Sequence, residues 1–512
     1  MKNVKFNLLI NLIFGENVVN KKSIINASFL SYINLFFSTI LGFIILPLMV
    51  NKLGSSQYGI YVLLISTIGY FSLFNLGFTD SITKFVSEYH TLNKFESIKN
   101  ISATSTYFFL LISLIIFILS IISVKYLPFY FNIDKENIFL FQTAFLLLAI
   151  NFIISLQGGL LASIISGYQN TQFVKLVNLI QILLYNSLIF TFIQFGFGLL
   201  GIIYSAIVSS LFFYVSCLVY IYVKKINYTF NVLNFDRNIL KSMLPYSIKI
   251  FVMTLTSQIL YRSDAIVIGV FLGTVSLTNF DVMYKISIIV ATLSTAFSDV
   301  LFPTFARLNT LNDKTQINKL LQLNLFISFS IVSFLIMFLY VCGESIFAIW
   351  FGNTINISIY VFMLMLSVNF FHAIGPCFTA LKAIGKIKLV MYSSIINAIF
   401  NLLLSIYLAK KIGIAGVLLA TIISHFFTDT LISLYSVNKY LNTSIIKLVR
   451  NSMAFPVLIS VFLFPFCKFY FTIFKINEIN IITIITTLIA TILTYFLLHY
   501  FFLKKYIKKL IY

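Results

Sequence analysis

An internal repeat is the sequence feature that most constrains the fold of this chain. The segment GLLGIIYSAIVS at 198–209 returns as GIAGVLLATIIS at 413–424, and the pair Leu53-Gly54 returns as Leu272-Gly273. Both halves therefore share one order of elements. Two similar membrane lobes that face each other are the typical architecture of an alternating-access transporter. The repeat thus favours transport before any single residue is considered.

The composition predicts an all-α integral membrane protein. Of 512 residues, 60% are hydrophobic and only 10% are charged, with a mean hydropathy of +1.01. Apolar stretches of roughly 20 residues, the length that a membrane-spanning helix needs, recur along the sequence. About 14 spans are predicted, near 27–50, 58–78, 103–124, 138–160, 176–195, 199–222, 246–272, 279–302, 321–341, 358–380, 390–409, 414–437, 452–471 and 481–502.

Six spans of each half pair across the repeat, so both halves have the same orientation and the repeat is parallel. The predicted organisation is a cytoplasmic interfacial segment, a first lobe with spans 1–6, a cytoplasmic linker, a second lobe with spans 7–12, and two appended spans with a basic tail. These regions cover residues 1–22, 23–225, 226–241, 242–440 and 441–512.

The distribution of Lys and Arg predicts the orientation in the membrane. Most of the 35 basic residues fall in segments that lie on the same side of the membrane as the N-terminus. Loops rich in basic residues stay in the cytoplasm during insertion. Both termini are therefore predicted to be cytoplasmic. The net charge of +21 indicates attraction to the anionic lipid bilayer, and no nucleic acid partner is expected. The four isolated cysteines lack metal-ligand spacing, so no metal site is expected.

Several longer segments resemble a known family. They are YGIYVLLISTIGYFSLFNLGFTDSITKFVSEY at 58–89, LPYSIKIFVMTLTSQILYRSDAIVIGVFLG at 244–273, IWFG at 349–352 and the two glycine-containing repeats. Together they are similar to the polysaccharide or O-antigen flippases of the multidrug, oligosaccharidyl-lipid and polysaccharide exporter superfamily. The resemblance implies two lobes around a V-shaped central cavity.

The function that the resemblance implies is flipping of an undecaprenyl-pyrophosphate-linked oligosaccharide from the cytoplasmic to the periplasmic leaflet of the bacterial inner membrane. A polysaccharide polymerase or chain-length regulator would be a partner. A hydrated sugar on a pyrophosphate cannot cross hydrocarbon, because each unsatisfied polar group costs several kcal/mol. The protein must therefore supply a wet cavity, preferably a cationic one.

Ionisable residues within spans are costly, and they are candidates for function. Arg262 and Lys249 in the seventh span and Lys285 in the eighth are the candidates for binding the pyrophosphate, since the forked guanidinium suits phosphate oxygens. The alternative is structural ion pairing. Lys285 lies four residues after Asp281, on the same helix face.

Other intramembrane residues are candidates for ion coupling. Asp264 lies two residues after Arg262 and therefore needs a partner on another span, either a cation or a coupling ion. His425 and Asp429 share a helix face and would carry a proton or help bind Na⁺, or form only a buried hydrogen-bonded pair. His372 precedes Pro376 by four residues, where a freed carbonyl would bind a cation or mark only a kink.

The remaining candidates are less specific. Asp80 and Asp299 are repeat-related and are assigned a gating role, with pairing to nearby lysines such as Lys84 as the alternative. Seven amide side chains within spans would hydrogen-bond sugar hydroxyls or join helices to one another. They are Asn34, Asn75, Asn151, Gln157, Asn369, Asn397 and Asn401. Of these, Asn34, Asn75 and Asn369 are the candidates for the substrate site.

Catalytic motifs are absent from the sequence. It contains no GxxxxGK, HExxH or GxSxG, so the chain is not expected to be an enzyme or to need a cofactor beyond a coupling H⁺ or Na⁺. Two alternatives stay open. One is a cation-coupled multidrug exporter of the same superfamily, and the other is a membrane polymerase or glycosyltransferase of polysaccharide assembly.

Overall fold

The computed structural model describes residues 21–229, 235–352, 355, 357–474 and 482–495. The predicted interfacial segment, up to residue 20, and the predicted basic tail, after residue 495, lie outside these ranges. Side chains are not described at 21–28, 249, 253, 257, 260, 261, 299, 300, 303, 387 and 474. Within the described ranges every regular element is a helix.

The chain divides into two compact units between Arg262 and Ser263. This division falls inside the predicted seventh span, and the predicted lobe boundaries stay a prediction. The first unit contains α1 (Lys21–Gly69), α2 (Phe78–Thr91), α3 (Phe95–Ser123), α4 (Ile138–Gly167), α5 (Thr171–Gln194), α6 (Gly198–Val223) and the first part of α7 (Arg237–Thr310).

The second unit contains the rest of α7 and α8 (Lys314–Phe351), α9 (Ile359–Ser367), α10 (Gly375–Ala383), α11 (Ile387–His425), α12 (Leu431–Leu441), α13 (Phe455–Phe474) and α14 (Ile482–Tyr495). Short helical turns lie between these helices. They are Tyr70–Asn75, Leu127–Tyr130, Lys135–Asn137, Asn369–His372, Phe426–Thr430, Ile445–Leu448 and Val449–Ala454.

The described residues include 11 helical ranges that are long and apolar enough to cross a membrane. Two of them, Phe29–Thr91 and Lys388–Leu441, have the length of two spans each, and the shorter apolar helix α14 coincides with the last predicted span. The helices are therefore compatible with 14 spans. The predicted all-α membrane fold is confirmed.

The repeat is visible in the backbone. Gly54 interrupts α1 with φ 74° and ψ 165°, and its repeat partner Gly273 interrupts α7 with φ 83° and ψ 172°. A second pair, Gly198 and Gly413, has φ 55° and 63°. Because a left-handed backbone is costly for residues with a Cβ, these glycines separate consecutive spans at equivalent points of both halves.

One break occurs in only one half. In the first unit, a 3₁₀ turn at Tyr70–Asn75 and left-handed residues Leu76 and Gly77 separate α1 from α2. The corresponding residues of the second half, 289–296, lie within α7 and are helical. The second span is thus discontinuous while its repeat partner is continuous.

The discontinuous span is held by close packing inside the first unit. Phe78, Ile82, Phe109 and Leu160 form a buried cluster that joins α2, α3 and α4, and Met243 of α7 completes it. In the same unit, α1 packs on α5 and α4 packs on α6. In the second unit, α8 packs on α13 and α9 packs on α11.

Candidate functional site

Arg262 lies in a cavity of the first unit, next to the break in the second span. The cavity has a volume of about 310 Å³, and its lining includes Gly69, Ser72 and Arg262. A methyl group placed on Gly69 would lie 3.0 Å from Arg262 Nε and 3.2 Å from its Cζ. The absence of a side chain at Gly69 therefore lets the guanidinium lie close against the end of α1, where a Cβ would displace it by a few tenths of an ångström.

Arg262 has no carboxylate within 4 Å among the side chains that the structure describes. Its surroundings are polar but uncharged. Three atoms of the lining residues lack a hydrogen-bond partner within the described structure, namely Ser72 Oγ, Asn151 Oδ1 and Gln258 Oε1. Tyr61 and Tyr185 also line the cavity, and their hydroxyls lie 3.3 Å apart. The residues that line the cavity therefore supply one cation and three buried polar atoms without a partner in the described part of the chain.

Asp264 belongs to a polar cluster in the second unit. Ser405 Oγ donates a hydrogen bond to Asp264 Oδ1 (3.2 Å), and Thr421 Oγ1 lies 3.0 Å from Asp264 Oδ2. Asn401 Nδ2 in turn donates to Thr421 Oγ1 (2.9 Å), while Asn401 Oδ1 has no partner within the described structure. The carboxyl group thus has uncharged hydroxyl partners on α11, and its predicted pairing with a cation or a coupling ion stays a prediction.

His425 and Asp429 form a second cluster in the same unit. His425 Nδ1 lies 2.7 Å from Asp429 Oδ2, a contact that requires one shared proton. Asn397 Nδ2 donates to Asp429 Oδ2 (2.6 Å), and Ser393 Oγ donates to Asp429 Oδ1 (2.9 Å). The carboxyl group of Asp429 therefore accepts hydrogen bonds from side chains of α11 on both of its oxygens.

A π-helical turn shapes this second cluster. α11 ends at His425, and the turn covers Phe426–Thr430, which includes Asp429. Such turns often occur at functional sites, because the extra residue re-aims the side chains around it. The centre of the His372 ring lies 5.7 Å from the centre of the His425 ring. His372, which precedes Pro376 by four residues, therefore lies next to the His425–Asp429 pair. This proximity was not predicted.

Lys285 forms the ion pair that was given as its alternative role. Its Nζ lies 3.6 Å from Asp281 Oδ1, and its side chain is 49% exposed. A paired and half-exposed lysine is a weak candidate for substrate binding. The side chain of Lys249 lies outside the described residues.

The three candidate asparagines have partners within the protein. Asn34 Nδ2 donates to the carbonyl of Lys175 (3.0 Å), which joins α1 to α5. Asn75 Nδ2 donates to Thr79 Oγ1 (2.9 Å) across the helix break. The buried Asn369 donates to Ser287 Oγ (2.8 Å). All three geometries match the alternative role of joining structural elements.

The two repeat-related aspartates are only partly described. Asp80 is exposed at the beginning of α2 and forms no ion pair within the described structure. Lys84, its proposed partner, instead lies 4.8 Å from the centre of the Tyr246 ring. The side chain of Asp299 lies outside the described residues. The gating role stays a prediction.

Sequence reasoning missed several residues of these sites. Gln258 lies four residues before Arg262, so it shares a helix face with it, and this spacing was a usable signal. Asn151, Asn397 and Asn401 were among the amides predicted to bind sugar hydroxyls or to join helices, but none of them was associated with a charged residue. Nothing in the sequence associates Ser405 and Thr421 with Asp264, because they lie more than 140 residues away along the chain.

The fold and the polar sites define a multi-pass membrane transporter. Among solved structures, "Lipid II flippase MurJ, inward closed conformation" matches with a TM-score of 0.71 and 18% identity, over 93% of this chain and 99% of that one. An inward-facing multidrug resistance MATE family transporter of the MOP superfamily matches with a TM-score of 0.65 and 14% identity, over 78% and 96%. At these identities the likeness concerns the fold.

The family is identified from the sequence. The pattern of the family described as "Polysaccharide biosynthesis protein" matches residues 24–309, more than half of the chain, so the chain belongs to this family. A protein of Shigella flexneri named "Putative O-antigen transporter" is 25% identical over 381 residues, which cover 72% of this chain and 87% of that protein. The resemblance to polysaccharide flippases of the superfamily is confirmed, and so is the prediction of a transporter rather than an enzyme.

Proposed function

We propose that the chain is a flippase for undecaprenyl-pyrophosphate-linked oligosaccharides in the inner membrane of a bacterium. The carrying observation is the Arg262 cavity, which brings a guanidinium and several unsatisfied polar atoms together inside an apolar helical bundle. Such groups are costly in a membrane protein, and their retention favours a polar substrate. The named activity of the Shigella flexneri relative and the family membership support the same function.

The division of labour follows from the chemistry of the substrate. The glycan carries many hydroxyls that cannot enter hydrocarbon, whereas the polyprenyl chain can remain in the bilayer. Only the head group therefore needs a polar path. Arg262 supplies the positive charge on that path, and Gly69 lets its guanidinium lie close to the end of α1.

Flipping in vesicles tests this function. The purified chain is reconstituted with a fluorescent undecaprenyl-pyrophosphate-linked oligosaccharide, and a membrane-impermeant reagent measures transfer between leaflets. We expect transfer by the wild-type chain and at least tenfold slower transfer by Arg262→Ala, because the charged contact is lost. Lys285→Ala is the matched control, since this lysine is bound by Asp281.

Two results would contradict the proposal. If protein-free and wild-type vesicles transfer the lipid at the same rate, the chain is not a flippase for this class. If the wild-type chain instead moves cationic drugs across the membrane but not the lipid-linked glycan, the drug-exporter alternative is the better description.

We further propose that transport is coupled to an H⁺ or Na⁺ gradient through the second unit. The carboxyl groups of Asp264 and Asp429 each lie among hydroxyl and amide groups, which are suitable partners for a small cation or a proton. A gradient supplies about 2.3 kcal/mol for each charge that crosses 100 mV.

Imposed gradients test the coupling. Flipping is measured in vesicles with a Na⁺ or proton gradient of either direction. One gradient should accelerate the wild-type chain, while Asp264→Asn or Asp429→Asn should keep basal flipping and lose the acceleration. A gradient response that both variants retain unchanged would assign the coupling to other residues.

The orientation is also a proposal. The bias of Lys and Arg favours cytoplasmic termini. Reporter enzymes that are active only in the periplasm, fused after the sixth span near Lys225 and after Lys125, test it. Activity of the second fusion alone is the expected result, and the reverse would invert the topology.

A further inference from the structure

The Arg262 cavity differs from a site for the diphosphate in its hydrogen-bonding character. A pyrophosphate offers only acceptor oxygens, so a site built for it presents donors and several cations. Here there is a single guanidinium, and Asn151 Oδ1 and Gln258 Oε1, which need donors, have no partner within the described structure. The NH2 groups of these side chains can donate to a phosphate, but a phosphate has no hydrogen to donate to the two carbonyl oxygens, which would therefore remain unsatisfied.

A sugar hydroxyl satisfies both kinds of group, because it donates one hydrogen bond and accepts others. It can accept from Arg262 and donate to an amide oxygen at the same time. Ser72 Oγ, the third unpartnered atom of the lining, is itself a hydroxyl and pairs with either kind of group. The ring faces of Tyr61 and Phe152, also in the lining, offer apolar surface to the C–H face of a sugar.

The size of the cavity limits what it holds. A volume of about 310 Å³ is at the lower end of small-molecule sites, which range from about 300 to 1,000 Å³. One sugar ring fits this volume, whereas a repeat unit of several sugars does not. The cavity also lies at the break of the second span, which the other half of the repeat lacks. Discontinuous spans commonly expose polar groups to a substrate.

We infer that this cavity is a subsite for a single sugar ring of the lipid-linked glycan and that the diphosphate binds elsewhere. The inference rests on the proposed function and specifies what the Arg262 cavity recognises. Asn151 and Gln258 accept hydrogen bonds from ring hydroxyls, and Arg262 donates to them. Ser72 and Gly69 form the floor at the helix break.

Binding to two kinds of lipid tests the inference. The chain in nanodiscs is titrated with undecaprenyl pyrophosphate and with the same lipid bearing one glucose, galactose or N-acetylglucosamine. At least one glycosylated lipid should bind the wild-type chain more tightly than the bare lipid. Asn151→Ala and Gln258→Ala should each weaken that binding about fivefold to tenfold, and leave the affinity for the bare lipid unchanged within about twofold.

Matched variants separate recognition from folding. Ser155→Ala removes a polar group one turn along α4 that bonds to Ser210 and lies outside the cavity lining, and it should leave both affinities unchanged. If Asn151→Ala does not fold, Ser72→Ala tests the same cavity from the 3₁₀ turn. Its expected result is also a loss confined to the glycosylated lipid.

Three results would overturn the inference. The cavity recognises the diphosphate if the variants weaken both lipids equally. It recognises neither part if the variants change neither affinity. If no glycosylated lipid binds the wild-type chain more tightly than the bare lipid, there is no sugar subsite. The flippase function is judged separately by transfer in vesicles, so its failure is distinguishable from these outcomes.

Discussion

Replacing Gly77 with alanine tests how firmly the broken second span is held. Gly77 has a left-handed backbone with φ 73°. A Cβ at this position would lie 2.6 Å from the Ser247 carbonyl oxygen and 2.7 Å from Ile250 Cβ, distances that require the beginning of α2 and α7 to separate. The same separation would disturb the 2.7 Å hydrogen bond between Ser81 and Ser247.

The expected destabilisation is the sum of two effects. The left-handed conformation costs an alanine about 1–2 kcal/mol, and weakening a buried hydrogen bond while displacing packed atoms costs about 1–3 kcal/mol more. Gly77→Ala should therefore lower the free energy of unfolding by about 2–5 kcal/mol. This is a large part of the stability of a typical protein.

Gly196→Ala is the matched control for this prediction. Gly196 lies just after α5 with φ 80° and the Phe197 N–H to Phe192 carbonyl bond of a left-handed helix end, but a Cβ there would meet no atom within 4 Å, so only the conformational cost applies. Thermal unfolding of both purified variants in one detergent is the assay. Gly77→Ala should lower the melting temperature clearly more than Gly196→Ala. Equal shifts would refute the argument that contact with α7 holds the break.

Three smaller predictions concern other polar residues. Lys285→Gln should leave flipping within about twofold of the wild-type rate, because a half-exposed pair contributes little; a tenfold loss in the vesicle assay would restore Lys285 to the substrate site. Asn369→Ala should lower the free energy of unfolding by about 1–3 kcal/mol, because it removes the buried donor to Ser287 Oγ, whose remaining hydrogen bond is its own to the Met365 carbonyl; thermal unfolding without a shift would contradict this. At the beginning of α8, hydrogen bonds from Thr315 and from the Gln316 amide hold the pKa of the Asp313 carboxyl below its usual value. The stabilising effect of Asp313 is therefore present above the usual carboxyl pKa and is lost as the pH falls through the lowered pKa. Asp313→Ala should lower the melting temperature at pH 7 but not at a pH below the lowered pKa, and a decrease that is independent of pH would contradict this prediction.

The spans could be predicted because hydropathy and length act locally. Each span must bury its own backbone hydrogen bonds in the hydrocarbon layer, so the pattern of a single stretch suffices. The repeat also carried structural information. Gly54 and Gly273 were matched by their displacement in the sequence, and both adopt the same left-handed backbone.

The sites could be predicted only in part. Sequence reasoning selected Arg262, Asp264, His425 and Asp429 because charges inside spans are rare. It assigned Arg262 to the pyrophosphate, since charge was the only property visible at that stage. The neighbours of Arg262 that favour a sugar ring belong to other helices. Asn151, for example, lines the same cavity from α4.

The sequence by itself determined the membrane class, the two related halves and the positions at which helices must end, because these depend on local hydrophobicity and on glycine conformation. Tertiary structure alone decided that the second span breaks in one half only, that His372 lies beside His425, and that Arg262 lacks a carboxylate partner among the described residues. The physical reason is that these features depend on packing between helices that are far apart in the chain. Small differences in side-chain volume and hydrogen bonding, which no local pattern records, select one packing from many.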